Sequence, residues 1–256
     1  MQTSPQCLRA PLVGFLISLL LLPGLARAEE ADFTSAEEEE IGRLIRAYIL
    51  EHPEVILEAI EELRHREEQA SVSARQSIIA ESKAAIYEDP GSPVAGNPDG
   101  DVTIVEFFDY NCSYCKRMTP EIFGLLAQDG NIRYIAKEWP IFGEDSEFAA
   151  RAALASARQG KYARFHQALM AIRGPANPET VRRAAEAVDV DWEQLQIDMG
   201  SDAVTEQLVR THQLAVALGV QGTPAIVIGE NFLPGAVPAA EISAIVAEER
   251  ARIEAN

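Results

Sequence analysis

Apolar residues follow one another almost without interruption from Val102 to Phe108, a pattern that predicts a buried β-strand. Polar residues end this run, and the residues from about 112 to 128 have helical spacing. Ile132 to Trp139 then predicts a second strand. A turn-rich passage over residues 92–100 precedes this unit, has room for one short edge strand and marks a domain boundary.

The second half of the chain is mostly helical in pattern. From Glu144 to about Leu218 apolar residues keep a helical spacing, which Gly and Pro residues interrupt. Ala225 to Ile228 and residues 232–235 predict a hairpin, and a last helix follows over about 239–254. The order of elements predicts an α/β fold, in which helices cover both faces of a sheet and an all-helical insertion occupies about 144–218.

A helical extension is predicted before this domain. Ser35 and Glu38 fit an S-x-x-E capping box, which would open the first helix. Pro53 is expected to end or sharply kink that helix, and the helical pattern resumes after it. The second helical stretch continues to about residue 88.

The extension carries two apolar patches, one over residues 35–63 and one at Ile78, Ile79 and Ile86. The polar segment 64–76 separates them. A helix spanning both would be about 54 Å long, at about 1.5 Å per residue, which is more than one small domain can cover. Either both patches pack on the domain that follows, or residues 35–63 associate with copies of themselves and segment 64–76 forms a stalk or hinge.

The first 28 residues predict a secretory signal peptide that is cleaved after Ala28. Arg9 supplies the positive charge, an apolar run follows, and Ala26-Arg27-Ala28 fits a small-x-small cleavage site. The alternative is a membrane anchor, but the run of about 15 residues is shorter than the roughly 20 that a spanning helix needs. We therefore expect export, no membrane insertion after cleavage, and loss of Cys7 with the leader.

The charge of the chain excludes several classes of partner. Its net charge of −18 becomes −20 without residues 1–28, because that segment holds two arginines and no acidic residue. A surface this acidic repels nucleic acid and anionic lipid and favours solubility. The three predicted parts are thus the leader 1–28, the extension 29–90 and a domain over 91–256.

Cys112 and Cys115 form the C-x-x-C motif Cys112-Ser113-Tyr114-Cys115 at the predicted junction of strand and helix. The free N–H groups and the dipole of a helix N-terminus favour negative charge on the first sulfur. A cysteine in such a position can have its pKa lowered to roughly 3.5–7.5, from about 8.5. The motif indicates thiol–disulfide chemistry, and an oxidising compartment allows its disulfide to persist.

The chain resembles the DsbA family of exported thioredoxin-fold oxidoreductases over about 92–256. The segment Glu106-Phe107-Phe108-Asp109-Tyr110-Asn111-Cys112-Ser113-Tyr114-Cys115-Lys116, the helical insertion and Gly222-Thr223-Pro224-Ala225 carry the resemblance. The extension is similar to that of the oligomeric suppressor-of-copper-sensitivity and Com1-like members. The resemblance implies a thioredoxin-like fold, a periplasmic location, and an N-terminal region that mediates oligomerisation.

The resemblance also implies roles for individual residues. Cys112 would be the exposed nucleophile and Cys115 the buried resolving thiol. Thr223-Pro224 would be a cis peptide that faces the disulfide and, with Tyr114, contacts the substrate. Glu106 would be a buried acid beneath the site, a costly group inside an apolar strand unless it is paired or protonated.

Two further points about Glu106 and the motif stay open at the level of sequence. Lys137, in the neighbouring strand, is a candidate partner for Glu106, whereas Glu106 could also be a strand-edge charge that points to water. Ser113-Tyr114 lacks the His of the strongly oxidising DsbA proteins, and a less stabilised thiolate leaves a disulfide less oxidising. We therefore expect a disulfide isomerase or reductase, with a dithiol oxidase as the alternative.

The expected partners are exported client proteins that contain cysteine, and a membrane or periplasmic redox partner. No organic cofactor is expected. Handling of Cu(I) by Cys112 and Cys115 is a less favoured alternative, because a soft ion prefers thiolates. A structural zinc site would need four ligands, no second cysteine pair exists, and the four histidines are scattered, so no resident metal is expected. A holdase without catalysis would leave the cysteine pair without a purpose.

Overall fold

The computed structural model of the chain describes residues 33–255. The predicted signal peptide, Cys7 and the cleavage position after Ala28 lie outside these residues. One compact unit ends at Glu61 and a second begins at Glu62. No helix within the described range is long and apolar enough to cross a membrane.

The extension consists of the helices α1 (Ser35–Glu51) and α2 (Glu54–Glu81). The break between them at Pro53 is as predicted. None of the side chains of α1 is buried, and Ile79 is the buried residue of α2. Nine large apolar or aromatic side chains of the 35–63 patch are exposed: Ile41, Leu44, Ile45, Tyr48, Leu50, Ile56, Leu57, Ile60 and Leu63.

The capping box of α1 lies one residue earlier than predicted. Thr34 is the N-cap, with extended backbone at φ −70° and ψ 153°, and its hydroxyl accepts a 3.4 Å hydrogen bond from the Glu37 N–H. The Glu37 carboxylate in turn accepts a 2.9 Å bond from the Thr34 N–H. The Ser35–Glu38 box was therefore wrong, because both pairs satisfy the same S/T-x-x-E pattern and only backbone geometry separates them.

The second apolar patch packs on the domain that follows it. A short helix, α3 (Lys83–Tyr87), follows α2, and Ile79 and Ile86 join a buried cluster with residues of the sheet. The Arg75 guanidinium lies 4.3 Å from the centre of the Phe232 ring. Of the two interpretations of the extension, packing on the domain thus holds for this patch, whereas the 35–63 patch is exposed.

Five strands form one sheet in the order β1-β3-β2-β4-β5. They are β1 (Val94–Gly96), β2 (Val102–Phe108), β3 (Ile132–Glu138), β4 (Ala225–Ile228) and β5 (Asn231–Pro234). Strands β2 and β3 are parallel, and the other pairs are antiparallel. The predicted short edge strand is β1.

Helices cover both faces of this sheet. They are α4 (Ser113–Asp129), α5 (Glu144–Ser156), α6 (Tyr162–Met170), α7 (Pro178–Ala187), α8 (Trp192–Met199), α9 (Asp202–Ala217) and α10 (Ala239–Glu254). Helices α5 to α9 form the predicted all-helical insertion. The fold is the thioredoxin-like α/β fold that the sequence indicates.

The two faces of β2 belong to two different buried clusters. Ile104 and Phe108 pack with residues of α4 and the insertion, whereas Val105 and Phe107 pack with residues of α3 and α9. A strand that is buried on both faces has a continuous apolar sequence. This explains why Glu106, at 1% exposure in the middle of β2, is unusual.

Candidate functional site

Cys112 is the N-cap residue of α4. Strand β2 ends at Phe108, and a three-residue turn brings the chain to Cys112, whose backbone is extended at φ −78° and ψ 115°. Its sulfur accepts a 3.3 Å hydrogen bond from the backbone N–H of Cys115. A sulfur in this position receives the free N–H groups of the first helical turn, which stabilise a thiolate.

Both cysteines are free thiols, and both are buried. Cys115 has no exposed surface, and Cys112 retains only 3%. The expectation that Cys112 is exposed was therefore wrong. Its sulfur lies 3.2 Å from the Thr223 carbonyl oxygen and 3.3 Å from the Cys115 backbone nitrogen, so Cys112 lies between two segments and not on an open helix end.

The surroundings shift the pKa values of the two thiols in opposite directions. The pKa of Cys112 falls to about 6, chiefly because the Cys115 thiol donates a hydrogen bond to its sulfur and with help from backbone N–H groups of α4. Burial raises the pKa of Cys115 above its ordinary value, and the hydrogen bond to Cys112 adds to this shift. At neutral pH, Cys112 is thus the thiolate and Cys115 holds its proton.

Thr223 contacts Cys112 although it is 111 residues away in sequence. The Thr223-Pro224 peptide bond is cis, as the resemblance implies. When Cys112 is protonated, its thiol donates a 3.2 Å hydrogen bond to the Thr223 carbonyl oxygen. Pro224 directly precedes β4, which pairs with β2, so the central sheet fixes both sides of this contact.

Tyr114 lies on the outer face of the motif. Its side chain is 57% exposed, and the Arg117 guanidinium lies 4.3 Å from the centre of its ring. A pocket of about 470 Å³ opens beside the motif, and its walls include Ser113, Lys116 and Phe142. Phe142 is itself 56% exposed and gives this opening an apolar side chain among polar neighbours such as Lys116 and Asp145.

Glu106 is buried, and its hydrogen-bond partner is not the predicted candidate. The Tyr134 hydroxyl donates a 2.7 Å hydrogen bond to Glu106 Oε2, whereas Oε1 is buried without a hydrogen-bond partner among the described residues. Burial raises the pKa of Glu106 to about 7, although the bond from Tyr134 lowers it and negative charge on Cys112 adds to the rise. The interpretation of Glu106 as a strand-edge charge was wrong.

Lys137 does not contact Glu106. Its ammonium group donates 2.8 Å hydrogen bonds to the Ala85 carbonyl and to Ser92 Oγ, and it lies 3.4 Å from Asp89 Oδ2. In the sheet Glu106 pairs with Ala136, so residues 134, 136 and 138 share its face and Lys137 faces the other way. The suggestion that Lys137 could be the partner of Glu106 was therefore wrong.

Asp109 organises the loop that carries Cys112, and the sequence reasoning gave it no role. Its carboxylate accepts hydrogen bonds from the N–H groups of Asn111, Ile141 and Phe142 at 2.6–3.0 Å and from the Ser146 hydroxyl at 2.7 Å. It thus joins the loop before Cys112 to the segment after β3 and to α5. An acidic residue directly after a buried strand was the signal that could have marked it.

Asn111 and Lys116 fasten the same loop to the helical insertion. The Asn111 side chain donates to Ser146 Oγ at 3.0 Å and accepts from the Ala176 N–H at 2.7 Å. Lys116 Nζ donates to the carbonyls of Ile172 and Gly174 at 2.9 and 2.7 Å. Within residues 33–255 no group of three or more His, Cys, Asp or Glu side chains could hold a metal ion.

Comparison with known proteins agrees with this fold. Residues 103–247, more than half of the chain, match the DSBA-like thioredoxin domain, and residues 37–70 match the copper resistance protein ScsC N-terminal domain. The chain therefore belongs to the DSBA-like thioredoxin domain family. This is a family of thiol:disulfide oxidoreductases, as the chemistry of the site indicates.

Solved structures extend the similarity. A thioredoxin-like oxidoreductase from Silicibacter pomeroyi DSS-3 is 48% identical, covers 65% of this chain and 96% of its own, and has a TM-score of 0.64. A linker-deletion mutant of Proteus mirabilis ScsC is 30% identical, covers 87% and 99%, and has a TM-score of 0.67. The thiol-disulfide exchange protein alpha-DsbA2 from Wolbachia pipientis is 30% identical, covers 70% and 97%, and has a TM-score of 0.66.

Curated relatives are more distant. Disulfide bond formation protein D of Bacillus subtilis is 25% identical over 174 residues, which are 62% of this chain and 77% of that protein. The Na(+)/H(+) antiporter NhaA 3 of Salinispora tropica is 29% identical over 133 residues. The chain spans 20% of the length of that antiporter, so the match concerns one part of a much longer protein.

Proposed function

We propose that this protein exchanges disulfides of exported client proteins through Cys112 and Cys115, and that it works as an isomerase or reductase. The observation that carries the proposal is the opposite shift of the two thiols: the pKa of Cys112 falls to about 6, whereas burial raises that of Cys115. Cys112 is thus a thiolate that can attack at neutral pH, whereas Cys115 remains protonated.

The exchange begins at Cys112. Its thiolate attacks one sulfur of a client disulfide, the client S–S bond breaks, and the second client sulfur leaves as a thiolate that takes up a proton. If another client thiolate then attacks the mixed disulfide, the client is isomerised and the protein returns reduced. If the Cys115 thiolate attacks Cys112 Sγ instead, the client leaves reduced by two electrons and the protein holds the disulfide.

Glu106 is the proton acceptor for the second route. Cys115 must lose its proton before it attacks, and it is buried away from water. Glu106 Oε1 has no hydrogen-bond partner among residues 33–255, and its pKa of about 7 allows it to take a proton near neutral pH. Tyr134 holds the other oxygen in place.

Client peptides dock beside Pro224 in this proposal. The Thr223 carbonyl lies at the sulfur, and a cis peptide next to a strand presents backbone groups that an extended segment can pair with. Tyr114 and Phe142 supply exposed aromatic surface on the other side of the motif. These two aromatic side chains can contact unfolded segments, which expose apolar side chains.

The pKa of the Cys112 thiol bears on whether the protein oxidises its clients or reduces and isomerises them. Strongly oxidising DsbA proteins have a nucleophile pKa of about 3.5 and thioredoxin one of about 7. A value of about 6 for Cys112 lies nearer to the reducing end. Because a less stabilised thiolate gives a less oxidising disulfide, this supports isomerase or reductase activity over dithiol oxidase activity.

Several copies acting together would suit an isomerase. The 35–63 patch is exposed, and its match to the ScsC N-terminal domain sets the extension apart from the catalytic domain. We infer that it joins copies of the chain, in the periplasm, so that several Cys112 thiolates act on one client at high effective concentration. Reduction of the pair by a membrane or periplasmic partner would then maintain the active form.

The test compares wild type, Cys112→Ser and Cys115→Ser in refolding of scrambled ribonuclease and in oxidation of reduced ribonuclease. Wild type should restore activity to the scrambled substrate faster than it oxidises the reduced one. Cys112→Ser should be inactive in both assays, and Cys115→Ser should accumulate a mixed disulfide with the client.

Faster oxidation than reshuffling would replace the proposal by a dithiol oxidase. Tight Cu(I) binding without any exchange activity would replace it by metal handling. Activity retained in Cys112→Ser would overturn the assignment of the nucleophile.

A further inference from the structure

A second buried acid lies on the same face of the sheet as Glu106. Glu138, the last residue of β3, has 1% of its surface exposed. The hydroxyls of Tyr110 and Tyr162 both donate 2.7 Å hydrogen bonds to its Oε1 atom. Its Oε2 atom is buried and has no hydrogen-bond partner in the described part of the chain.

His166 extends this cluster. Its Nδ1 atom lies 3.0 Å from the Tyr110 hydroxyl, and its Nε2 atom is buried without a partner among the described residues. The imidazole has no exposed surface and stacks on the Tyr162 ring at 5.7 Å. Burial lowers its pKa to about 3, so the ring is neutral over the working range of the site.

Glu106 and Glu138 are near neighbours in the sheet. Glu106 pairs with Ala136, so Glu138 is two residues further along the adjacent strand and points to the same side. With strands about 4.8 Å apart and a rise of about 3.3 Å per residue, their Cα atoms are about 8 Å apart. Neither carboxyl forms an ion pair within residues 33–255, and His166 is uncharged. Two buried acids without a cation cannot both ionise freely.

We propose that Glu138 is a second acid of the exchange site, that it shares one negative charge with Glu106, and that Tyr110 couples its proton to the tautomer of His166. Glu138 is then a positioning residue and not a catalytic one, because it acts on Cys115 through Glu106. The inference rests on the proposed role of Glu106 as proton acceptor. Burial raises the pKa of Glu138 to about 8, in the same range as that of Glu106.

Hydrogen-bond counting explains the coupling to His166. The Tyr110 hydroxyl has one proton and two neighbours. When Glu138 is ionised, Tyr110 donates to Oε1, and His166 must carry its proton on Nδ1 to donate to Tyr110. When Glu138 is protonated on Oε1, it can donate to Tyr110, which donates to His166 Nδ1 and leaves the imidazole proton on Nε2.

The groups that act on Glu138 come from every element packed against it. Tyr110, Tyr162 and His166 contact it or its tyrosine partners, and Glu106, Asp109 and Tyr134 lie further away. Asp109 and Glu106 raise its pKa by charge repulsion, while the two tyrosine hydroxyls lower it. The proton on Glu138 therefore depends on the charge state of Glu106.

The experiment follows both groups directly in the reduced, full-length protein between pH 5 and 9. Infrared spectroscopy records the carbonyl band of protonated carboxyl groups, and ¹⁵N chemical shifts report the His166 tautomer. The variants are Glu138→Gln, Glu106→Gln and Tyr110→Phe. Asp198→Asn is the matched control, because Asp198 is a buried acid that pairs with Arg158 in the insertion, away from the site.

Wild type and the control should show two carboxyl groups that lose protons above pH 6, and a switch of His166 from the Nε2–H to the Nδ1–H tautomer. In Glu138→Gln one band should be lost, the switch should disappear, and Glu106 should titrate on the order of one pH unit lower. Tyr110→Phe should keep both bands and abolish the switch. If Glu138→Gln does not fold, Tyr110→Phe decides.

An ionised Glu138 at pH 6, a His166 tautomer that is constant in wild type, or unchanged titration of Glu106 in Glu138→Gln would each overturn the inference. These readouts do not use a client, so they are independent of the ribonuclease assays. Failure of the exchange assays with a normal His166 switch would count against the proposed function, and the reverse result against this inference.

Discussion

The Tyr134 hydroxyl donates a 2.7 Å hydrogen bond to Glu106 across two parallel strands and holds the buried carboxyl from one side. The bond stabilises the ionised form of Glu106, whereas burial favours the protonated form, and the balance gives a pKa of about 7. The uncharged Tyr134 hydroxyl thus lowers the pKa of Glu106 against the effect of burial. A lysine in its place would hold the carboxyl ionised.

Tyr134→Phe should raise the pKa of Glu106 because it removes this bond and keeps the ring. Since a hydrogen bond to a charged group is worth about 1.5–3 kcal/mol, the shift should be on the order of one unit. The measurement is the pH dependence of resolution of a mixed disulfide between Cys112 and glutathione. Its midpoint should move to higher pH, and a midpoint equal to that of wild type would show that Tyr134 does not tune Glu106.

Lys137→Met should affect stability and leave the chemistry unchanged. The substitution removes a buried donor from the Ala85 carbonyl, Ser92 and Asp89, although Gln207 still donates to Ser92 and Asp89, so the free energy of unfolding should fall by about 1–3 kcal/mol. Urea unfolding gives the loss. The mixed-disulfide resolution should keep the pH midpoint of wild type, since Lys137 lies on the other face of β3; a shifted midpoint would restore Lys137 as a partner of Glu106.

The stability of the oxidised protein should fall as pH rises from 6 to 8. The pKa values of Glu106 and Glu138 rise from 4.5 to about 7 and about 8 on folding, so the folded state holds protons that the unfolded state has lost. Each contribution is present at low pH and is lost as pH rises through the folded pKa. His166 acts oppositely, because its stabilisation is lost as pH falls below 6.5 towards about 3.

The net loss between pH 6 and 8 should be about 3 kcal/mol, at about 1.4 kcal/mol per pKa unit. Denaturant unfolding at several pH values measures it, and the disulfide removes the titration of Cys112 from the comparison. Glu138→Gln should lose almost no stability over the same interval, because the loss that remains from Glu106 is about offset by the opposite contribution of His166. If the stability of the wild-type protein stays constant or increases between pH 6 and 8, neither acid is protonated in the folded protein.

Substituting the 35–63 patch should separate the copies of the chain. The double variant Leu44→Glu with Ile60→Glu places charges on two exposed apolar positions of α1 and α2. Light scattering should give a multiple of the chain mass for wild type and the mass of one chain for the variant, with reduced ribonuclease reshuffling. Ile197→Glu, at an apolar position on α8 that is more exposed than either of these, is the matched control and should keep the wild-type mass. A wild-type protein of single-chain mass would refute the oligomer.

Much of the fold follows from the sequence because its determinants are local. Continuous apolar runs mark β2 and β3, helical spacing marks the insertion, and the turn residues before Val102 mark the edge strand. The C-x-x-C pair at the junction of strand and helix likewise indicates the thiolate chemistry, since a helix N-terminus acts on its own first turn. The capping register of α1 shows the limit, because two overlapping pairs satisfy the same pattern.

The neighbours of Glu106, in contrast, were decided by tertiary structure. Side chains in a strand alternate between faces, so a difference of one residue in register exchanges Lys137 for its neighbours beside Glu106. The pairing of β2 with β3 selects Tyr134 and Glu138 for the face that Glu106 occupies, and α6 brings His166 onto it. Sequence thus determined where the reactive sulfur lies in its helix. The packing of the sheet against the insertion decided which groups share its protons, because burial and proximity, and not spacing along the chain, set the charge of an acid.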